Sequence, residues 1–383
     1  MKWVTSWSNA ISISENLPQG YAKNITLRYP ILAAFAGNKV RITLDNYTGK
    51  EIAHFGRVTI AKAINDQDYE EGTVKTVTFN GNESIDIKAG EKAVSDEIEF
   101  EAVKNEKFIV SIYFDEFTSL RGGVVTSGPL SKGYFSDGDM TGVSVLDRAN
   151  MKEVLCVYYL SDIEICTEDD CSSILCFGDS ITAQAWPEYL QLNFLENNKP
   201  YSTCRKAVSG ARVLRDYSAL PYQHYGIAGV TRFDHDSDLS STKAVVILEG
   251  VNDFIHPVGV EVNPFRPWSD LPTPEELVDG YRVFISKAKE KGLKVFIGTI
   301  LPINGWRTYE PFRNDLRVKV NEWIKTTDEI DGYIDFADIM HMENDDTKMN
   351  PAYDSGDHLH PNLEGYKVMA KAVYRVLEEK GII

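Results

Sequence analysis

Four short stretches of this chain hold the residue types that nucleophilic and acid–base chemistry draws on. The first is Cys176-Phe177-Gly178-Asp179-Ser180-Ile181-Thr182, directly after the apolar run that begins at Ser172. A serine in a strand-to-helix turn exposes its hydroxyl beside backbone N–H groups that no helical carbonyl takes up. Asp179 and Ser180 could also do no more than cap that helix. The second is Val208-Ser209-Gly210-Ala211-Arg212, where Gly210 lets backbone approach a ligand closely, or simply makes a turn. The third is Leu248-Glu249-Gly250-Val251-Asn252-Asp253, in which Asn252 at a strand end could aim its amide N–H groups into a cleft. The fourth is Asp354-Ser355-Gly356-Asp357-His358-Leu359-His360-Pro361. Asp357 and His360 are three residues apart on a tight loop, so the carboxylate can accept from the imidazole Nδ1–H and leave Nε2 facing outward as a base. His360 as a helix N-cap, or Asp357, His358 and His360 as metal ligands, are alternatives; no further His or Cys cluster lies nearby to complete a metal site.

Each stretch alone is an ordinary turn. Their order along the chain is more specific: Gly-Asp-Ser, then a glycine turn, then Gly-x-Asn-Asp, then Asp-x-x-His. This order resembles the four blocks of the SGNH hydrolases, the GDSL esterase/lipase family, over roughly residues 172–380. Within it the chain resembles an acylhydrolase subgroup associated with xylan-degrading gene clusters. That likeness rests on Trp3-Val4-Thr5-Ser6-Trp7, the Leu-Glu-Gly-x-Asn-Asp stretch, Gly298–Pro302 and the run 354–361. The second block departs from the family pattern Asn-x-Gly-x-Ser-Gly-Asn. Here it reads Arg205-Lys206-Ala207-Val208-Ser209-Gly210-Ala211, with the glycine kept and the flanking asparagines gone.

The resemblance implies a serine esterase working through a Ser180–His360–Asp357 triad, with no metal and no cofactor. It implies that the Ser180 N–H, the Gly210 N–H and the Asn252 side chain hold the oxyanion. Asp253 is expected to orient Asn252 or its turn, and His358 to be structural.

The elements that must position these residues fall into two halves. From residue 24 to about 165 short runs such as 41–48, 56–63, 74–81, 83–90, 97–103, 107–114 and 154–160 alternate or are rich in β-branched and aromatic residues, with Gly, Asn and Asp turns between them. They predict a jelly-roll-like β-sandwich over residues 1–168. From residue 172 the runs SSILCF, TKAVVILEG, LKVFIGTIL and GYIDFADI are continuously apolar, as parallel strands covered on both faces are. Helices alternate with them. The spacing predicts a helix over 274–291 with Thr273 as N-cap, Glu276 completing a capping box and Gly292 beyond its end, and a last helix from Pro361 to Gly381. The expectation is an α/β three-layer sandwich of SGNH type over 169–383, preceded by the β-domain, with the boundary in the acidic stretch Thr167-Glu168-Asp169-Asp170.

Charge and composition narrow the partners. Forty basic against fifty-seven acidic side chains leave a net −17, which argues against nucleic acid and anionic membrane surfaces. No apolar run reaches the ~20 residues of a spanning helix, and the opening MKWVTSWSNA is not a signal peptide. The expectation is a cytoplasmic protein, or a secreted one that has lost its leader. Five cysteines argue against a disulfide framework, although Cys166 and Cys171 could clip a loop. Trp186, Trp268, Trp306, Arg212, Arg307 and Tyr309 fall in expected loops near the strand-end face, where aromatic and Arg groups suit stacking on sugar rings; aromatics are also common core residues. With the resemblance, the expected substrate is a small ester, foremost an acetyl ester on a plant-polysaccharide fragment such as a xylo-oligosaccharide. A lysophospholipase, an acyl-CoA thioesterase, or a carbohydrate-binding protein with a vestigial hydrolase half are the alternatives. The oligomeric state is open.

Overall fold

The computed structural model describes residues 1–14, 20–168, 170–217, 220–257 and 267–383. Asp169 of the acidic stretch lies outside them. The chain divides into two compact units, Met1–Ser173 with Pro200–Cys204, and Ile174–Lys199 with Arg205–Ile383.

Within residues 2–167 the paired strands of the first unit are antiparallel. One sheet runs Lys2–Ser8, Leu160–Thr167, Gly37–Asp45, Ile98–Ala102, with Lys92–Val94 also on Gly37–Asp45. The other runs Met151–Glu153, Tyr134–Asp137, Ile25–Leu32, Lys107–Phe114, Arg57–Lys62, Lys75–Val77. Val40, Ile42, Ile163 and Ile165 of the first sheet and Leu27, Tyr29, Ile60, Val110 and Ile112 of the second share one apolar core. Each contributes alternate positions of its strand, so burial on one face is what selects this register. Several strands were not among the expected runs, the longest of them Lys2–Ser8, Ile25–Leu32 and Leu160–Thr167. The Trp3–Trp7 stretch is thus an element of the sheet, with Trp3 stacked under the Arg41 guanidinium at 4.1 Å. All five cysteines are free thiols, so the Cys166–Cys171 clip is not formed.

The second unit centres on a five-stranded sheet in the order Tyr201–Ala207, Ser172–Gly178, Thr242–Leu248, Lys294–Gly298, Gly332–Ile334, of which Tyr201–Cys204 and Ser172–Ser173 are counted with the first unit. Thr242–Leu248 pairs parallel with Lys294–Gly298, and that strand parallel with Gly332–Ile334. Ala244 to Leu248 and Val295 to Gly298 are buried at every position, which requires cover on both faces. The helices are α1 (Ser180–Ala183), α2 (Trp186–Glu196), α3 (Gly229–Asp236), α4 (Val251–Ile255), α5 (Pro274–Glu290), α6 (Pro311–Thr326), α7 (Phe336–Met340) and α8 (Leu363–Glu379). They pack as two groups, α2 with α8 and α7, and α3 to α6. Phe177 of the second sheet strand meets Phe233 of α3 and Phe284 of α5 edge-on at 5.0 and 5.3 Å.

Helix α5 follows its sequence signals. Thr273 Oγ1 accepts from the Glu276 N–H while the Glu276 carboxylate accepts from the Thr273 N–H, and Leu277, Tyr281, Phe284, Ile285 and Ala288 are buried. Helix α8 begins at Leu363, not Pro361, because Asn362 is its cap and accepts from the Gly365 N–H. His360 is therefore not a capping residue. GYIDFADI is strand only over Gly332–Ile334; the Asp335 side chain then caps α7. No helix among the described residues is long and apolar enough to cross a membrane.

Candidate active site

The site is assembled where the sheet strands end. Gly178 closes its strand against Leu248, and a Cβ at Gly178 would lie 2.1 Å from the Leu248 carbonyl oxygen, so only glycine lets the two strand ends approach. Asp179 then leaves the strand, and its carboxylate accepts from the Ile181 N–H and starts α1. Ser180 is the first residue of that short helix. Its Oγ lies 2.8 Å from His360 Nε2.

His360 is held by the loop that precedes α8. Its Nδ1 is 2.6 Å from Asp357 Oδ2, and Asp357 Oδ1 accepts from the backbone N–H groups of Leu359 and His360 at 3.0 and 2.8 Å. A carboxylate can only accept, so the Nδ1 proton faces Asp357 and the Nε2 lone pair faces Ser180. Burial works against the Asp357 charge, but the hydrogen bonds from the His360 ring and from the two N–H groups outweigh it and hold the carboxyl well below the usual carboxylate range.

The other two blocks are tied to this corner. The Val208 N–H donates to the Gly178 carbonyl at 3.0 Å, which sets the glycine turn beside the Ser180 turn. Gly210 has φ +83°, and its own carbonyl accepts from the Tyr217 hydroxyl at 3.2 Å. Asn252, buried in α4, donates one amide N–H to the Ala211 carbonyl at 3.0 Å. Among the described residues no protein acceptor takes the N–H of Ser180 or of Gly210. Asp253 does not orient Asn252. Its two carboxylate oxygens accept from the Val213 and Leu214 N–H groups at 2.7 and 3.0 Å, so it pins the far side of the glycine turn. Burial pushes this carboxyl up to about 6 despite those bonds.

The structure separates the expected sugar-facing residues. Trp186 is fully buried in α2 against Phe336, and Arg212 is buried on Asp270 and the carbonyls of Arg215 and Asp216. Both are packing residues, because α2 and the glycine turn are covered where an exposed loop was expected. Trp306 meets His360 edge-on at 6.3 Å, with the Arg307 guanidinium 4.7 Å from its ring centroid. Trp268 is 56% exposed beside Phe312, and Tyr309 is half-buried. His358 Nδ1 lies 2.6 Å from Asp354 Oδ2, so it braces the loop. Among the described residues no three or more His, Cys, Asp or Glu groups converge as a metal site. Sequence reading missed the aromatic wall of Tyr217, Tyr225 and His256 around Gly210 and the buried Arg232, Asp236 and Glu249. Only the clustering of Tyr and His over 217–225 hinted at the first.

A serine hydroxyl on an imidazole, itself held by a carboxylate at the strand ends of a parallel α/β sheet, is the equipment of a serine hydrolase. Residues 176–368, just over half of the chain, match the model of the GDSL-like lipase/acylhydrolase family, and the chain belongs to that family. It is by that membership a carboxylic ester hydrolase. No curated protein matches the chain. Among solved structures it is similar to a GDSL-like lipase from Bacteroides thetaiotaomicron, at 21% identity over 54% of this chain and 88% of that one with a TM-score of 0.38. An aryl esterase from M. smegmatis is 13% identical over 55% and 99% with a TM-score of 0.41, and an acetyl xylan esterase is 17% identical over 54% and 99% with a TM-score of 0.40.

Proposed function

We propose that the chain is a serine esterase that cleaves short acyl esters, foremost acetyl groups on plant-polysaccharide fragments such as xylo-oligosaccharides, through an acyl-enzyme. The observation that carries this reading is the unbroken chain Ser180 Oγ, His360 Nε2, His360 Nδ1, Asp357 Oδ2 at 2.8 and 2.6 Å. His360 takes the Ser180 proton during attack on the ester carbonyl, then returns it to the leaving alkoxide. Asp357 holds the ring and stabilises the imidazolium. The open N–H groups of Ser180 and Gly210 and the second amide N–H of Asn252 receive the oxyanion. Water then repeats the cycle on the acyl-serine with His360 as base. The edge of Trp306 beside His360, under Arg307, supports an aromatic wall for the sugar side of the substrate. We read the first unit, by itself, as a jelly-roll-like β-sandwich.

The test is acetate release from acetylated xylo- and manno-oligosaccharides beside p-nitrophenyl esters from C2 to C12, with Ser180→Ala as control. Acetyl should be preferred to octanoyl by about tenfold or more, since each methylene that does not fit a shaped pocket costs roughly 1–3 kcal/mol. A C8 optimum would replace the acetyl reading by a lipid one. Full activity in Ser180→Ala would remove Ser180 as nucleophile.

A further inference from the structure

Arg232 of α3 is 3% exposed, and its guanidinium sits 4.0 Å from the Phe177 ring centroid. A buried guanidinium must find acceptors in a fixed planar fork. One terminal nitrogen donates to the Lys206 carbonyl at 3.1 Å and to Asp236 Oδ2 at 2.5 Å. The other donates to the Gly178 carbonyl at 2.8 Å and to Glu249 Oε1 at 3.0 Å. Gly178, Lys206 and Glu249 stand at the ends of three different sheet strands. Ser180 follows the first of these by two residues, Gly210 the second by four and Asn252 the third by three. One side chain therefore spans the three places from which the nucleophile and the oxyanion donors leave the sheet.

We infer that Arg232 is a positioning residue that sets the spacing of Ser180, Gly210 and Asn252 by bridging their strand ends, with Glu249 and Asp236 holding the fork in place. This rests on the esterase reading above. Burying charge for stability alone is a poor explanation, since well-packed apolar groups in place of a buried ion pair are often as stable. What an apolar group cannot do is donate to two backbone carbonyls on neighbouring strands and to a carboxylate on a third. A lysine ammonium keeps the charge but cannot span the acceptors in one plane.

The cluster carries more carboxyls than cations. Glu249 is faced by Arg232 and Asp236 of α3, Asp179 before α1, Asp253 of α4 and Tyr281 of α5. Burial, only partly offset by Arg232, pushes Glu249 up to about 7. Its ionisation strengthens the hold on the fork as pH rises through that value.

The experiment uses the full chain and p-nitrophenyl acetate. Arg232→Lys and Arg232→Met should each lose at least tenfold in kcat with KM within twofold, in protein that is folded by circular dichroism. Glu249→Gln adds a readout that a purely structural role would not move. The acid limb of the wild-type kcat profile should be steeper than one ionisation, and that of Glu249→Gln should follow one. Folded Arg232 variants with kcat within twofold of wild type overturn the inference. If neither variant folds, wild-type and Glu249→Gln profiles of the same steepness overturn it. A wild type that hydrolyses no ester, or that is unaffected by Ser180→Ala, instead defeats the esterase reading itself.

Discussion

Replacing Gly210 by alanine strikes the proposed oxyanion site through two separable effects. The first is conformational. At φ +83° an L side chain adopts the left-handed region, which costs about 1–2 kcal/mol. The second is steric. The new Cβ would lie 2.2 Å from Tyr225 Cδ1 and 2.6 Å from its Cγ. Ordinary contact begins at 3.4 Å, so the ring must retreat by 3.4 − 2.2 = 1.2 Å. It has little room to do so. Tyr225 is packed on Tyr217 at 5.0 Å, His256 at 5.1 Å and His224 at 4.3 Å, and overpacking of this kind costs about 1–3 kcal/mol. The lower entropy of an alanine in the unfolded chain returns roughly 0.4–1 kcal/mol. The net is a loss of about 1–5 kcal/mol, or roughly 2–20 °C in Tm for a unit of this size.

Activity should fall further than stability. Alanine keeps the N–H, but a turn that relaxes away from φ +83° carries it off the oxyanion, and the loss of that donor costs up to about 3–4 kcal/mol of barrier, a factor of roughly 10² to 10³ in kcat. The assay is kcat for p-nitrophenyl acetate, with Tm by circular dichroism, on Gly210→Ala, Tyr225→Ala and the double variant. Tyr225→Ala removes the clash but not the φ cost. The double variant should therefore be more stable than the sum of the single changes by about 1–3 kcal/mol, while kcat stays low. Gly210→Ala with wild-type Tm and kcat, or strictly additive stabilities, would refute the reasoning.

Asp357→Asn should fold normally, since the carboxylate is partly exposed, yet lose about 10³ to 10⁴ in kcat because the amide no longer fixes the Nδ1–H tautomer; a rate within tenfold of wild type would make Asp357 a loop residue only. Glu249 is protonated in the fold up to about pH 7 but only to about 4.5 when unfolded, so the native state binds the extra proton between those values and loses this stability as pH rises through them. Glu249→Gln should flatten that decline, and Tm curves of variant and wild type that stay parallel from pH 4 to 8 would contradict it. Thr273→Ala removes the capping box of α5 and should cost about 1 kcal/mol, roughly 2–4 °C in Tm, with kcat unchanged; an unchanged Tm would show the cap is replaced by water.

How far each element was legible follows from where its signal lies. Helix α5 carries its start, its apolar stripe and its end in its own residues, so it is readable from Thr273 to Gly292. The buried sheet strands announce themselves as apolar runs, since both their faces are covered. Ile25–Leu32 does not, because Pro30 and Arg28 interrupt it. The structure accommodates both. Pro30 stands opposite Ile109 in the register, and the Arg28 guanidinium is buried on the carbonyls of Gln67, Met140 and Val143. Those acceptors lie 39 to 115 residues away, beyond any local pattern. Trp186 and Arg212 fail for the converse reason: their residue types suit a ligand face, but exposure is decided by what packs over them.

The same distinction separates the two layers of the site. In the roles proposed for them, Ser180, His360, Asp357 and Asn252 would act through side-chain groups that few residue types possess, so their types and order leave a mark on the sequence. Arg232 acts on the carbonyls of Gly178 and Lys206, a group that every residue carries, and so its acceptors leave none. Its remaining mark is Asp236, four residues on in the same helix, and such a pair ordinarily reads as a solvated surface contact worth a few tenths of a kcal/mol. Only burial reverses that reading. At 3% and 2% side-chain exposure the pair cannot be traded for hydration, and its two terminal guanidinium nitrogens must find their acceptors within the fold. The strand ends answer it, and a contact that looks like surface decoration in the sequence becomes the part of the fold on which the spacing of the reacting groups depends.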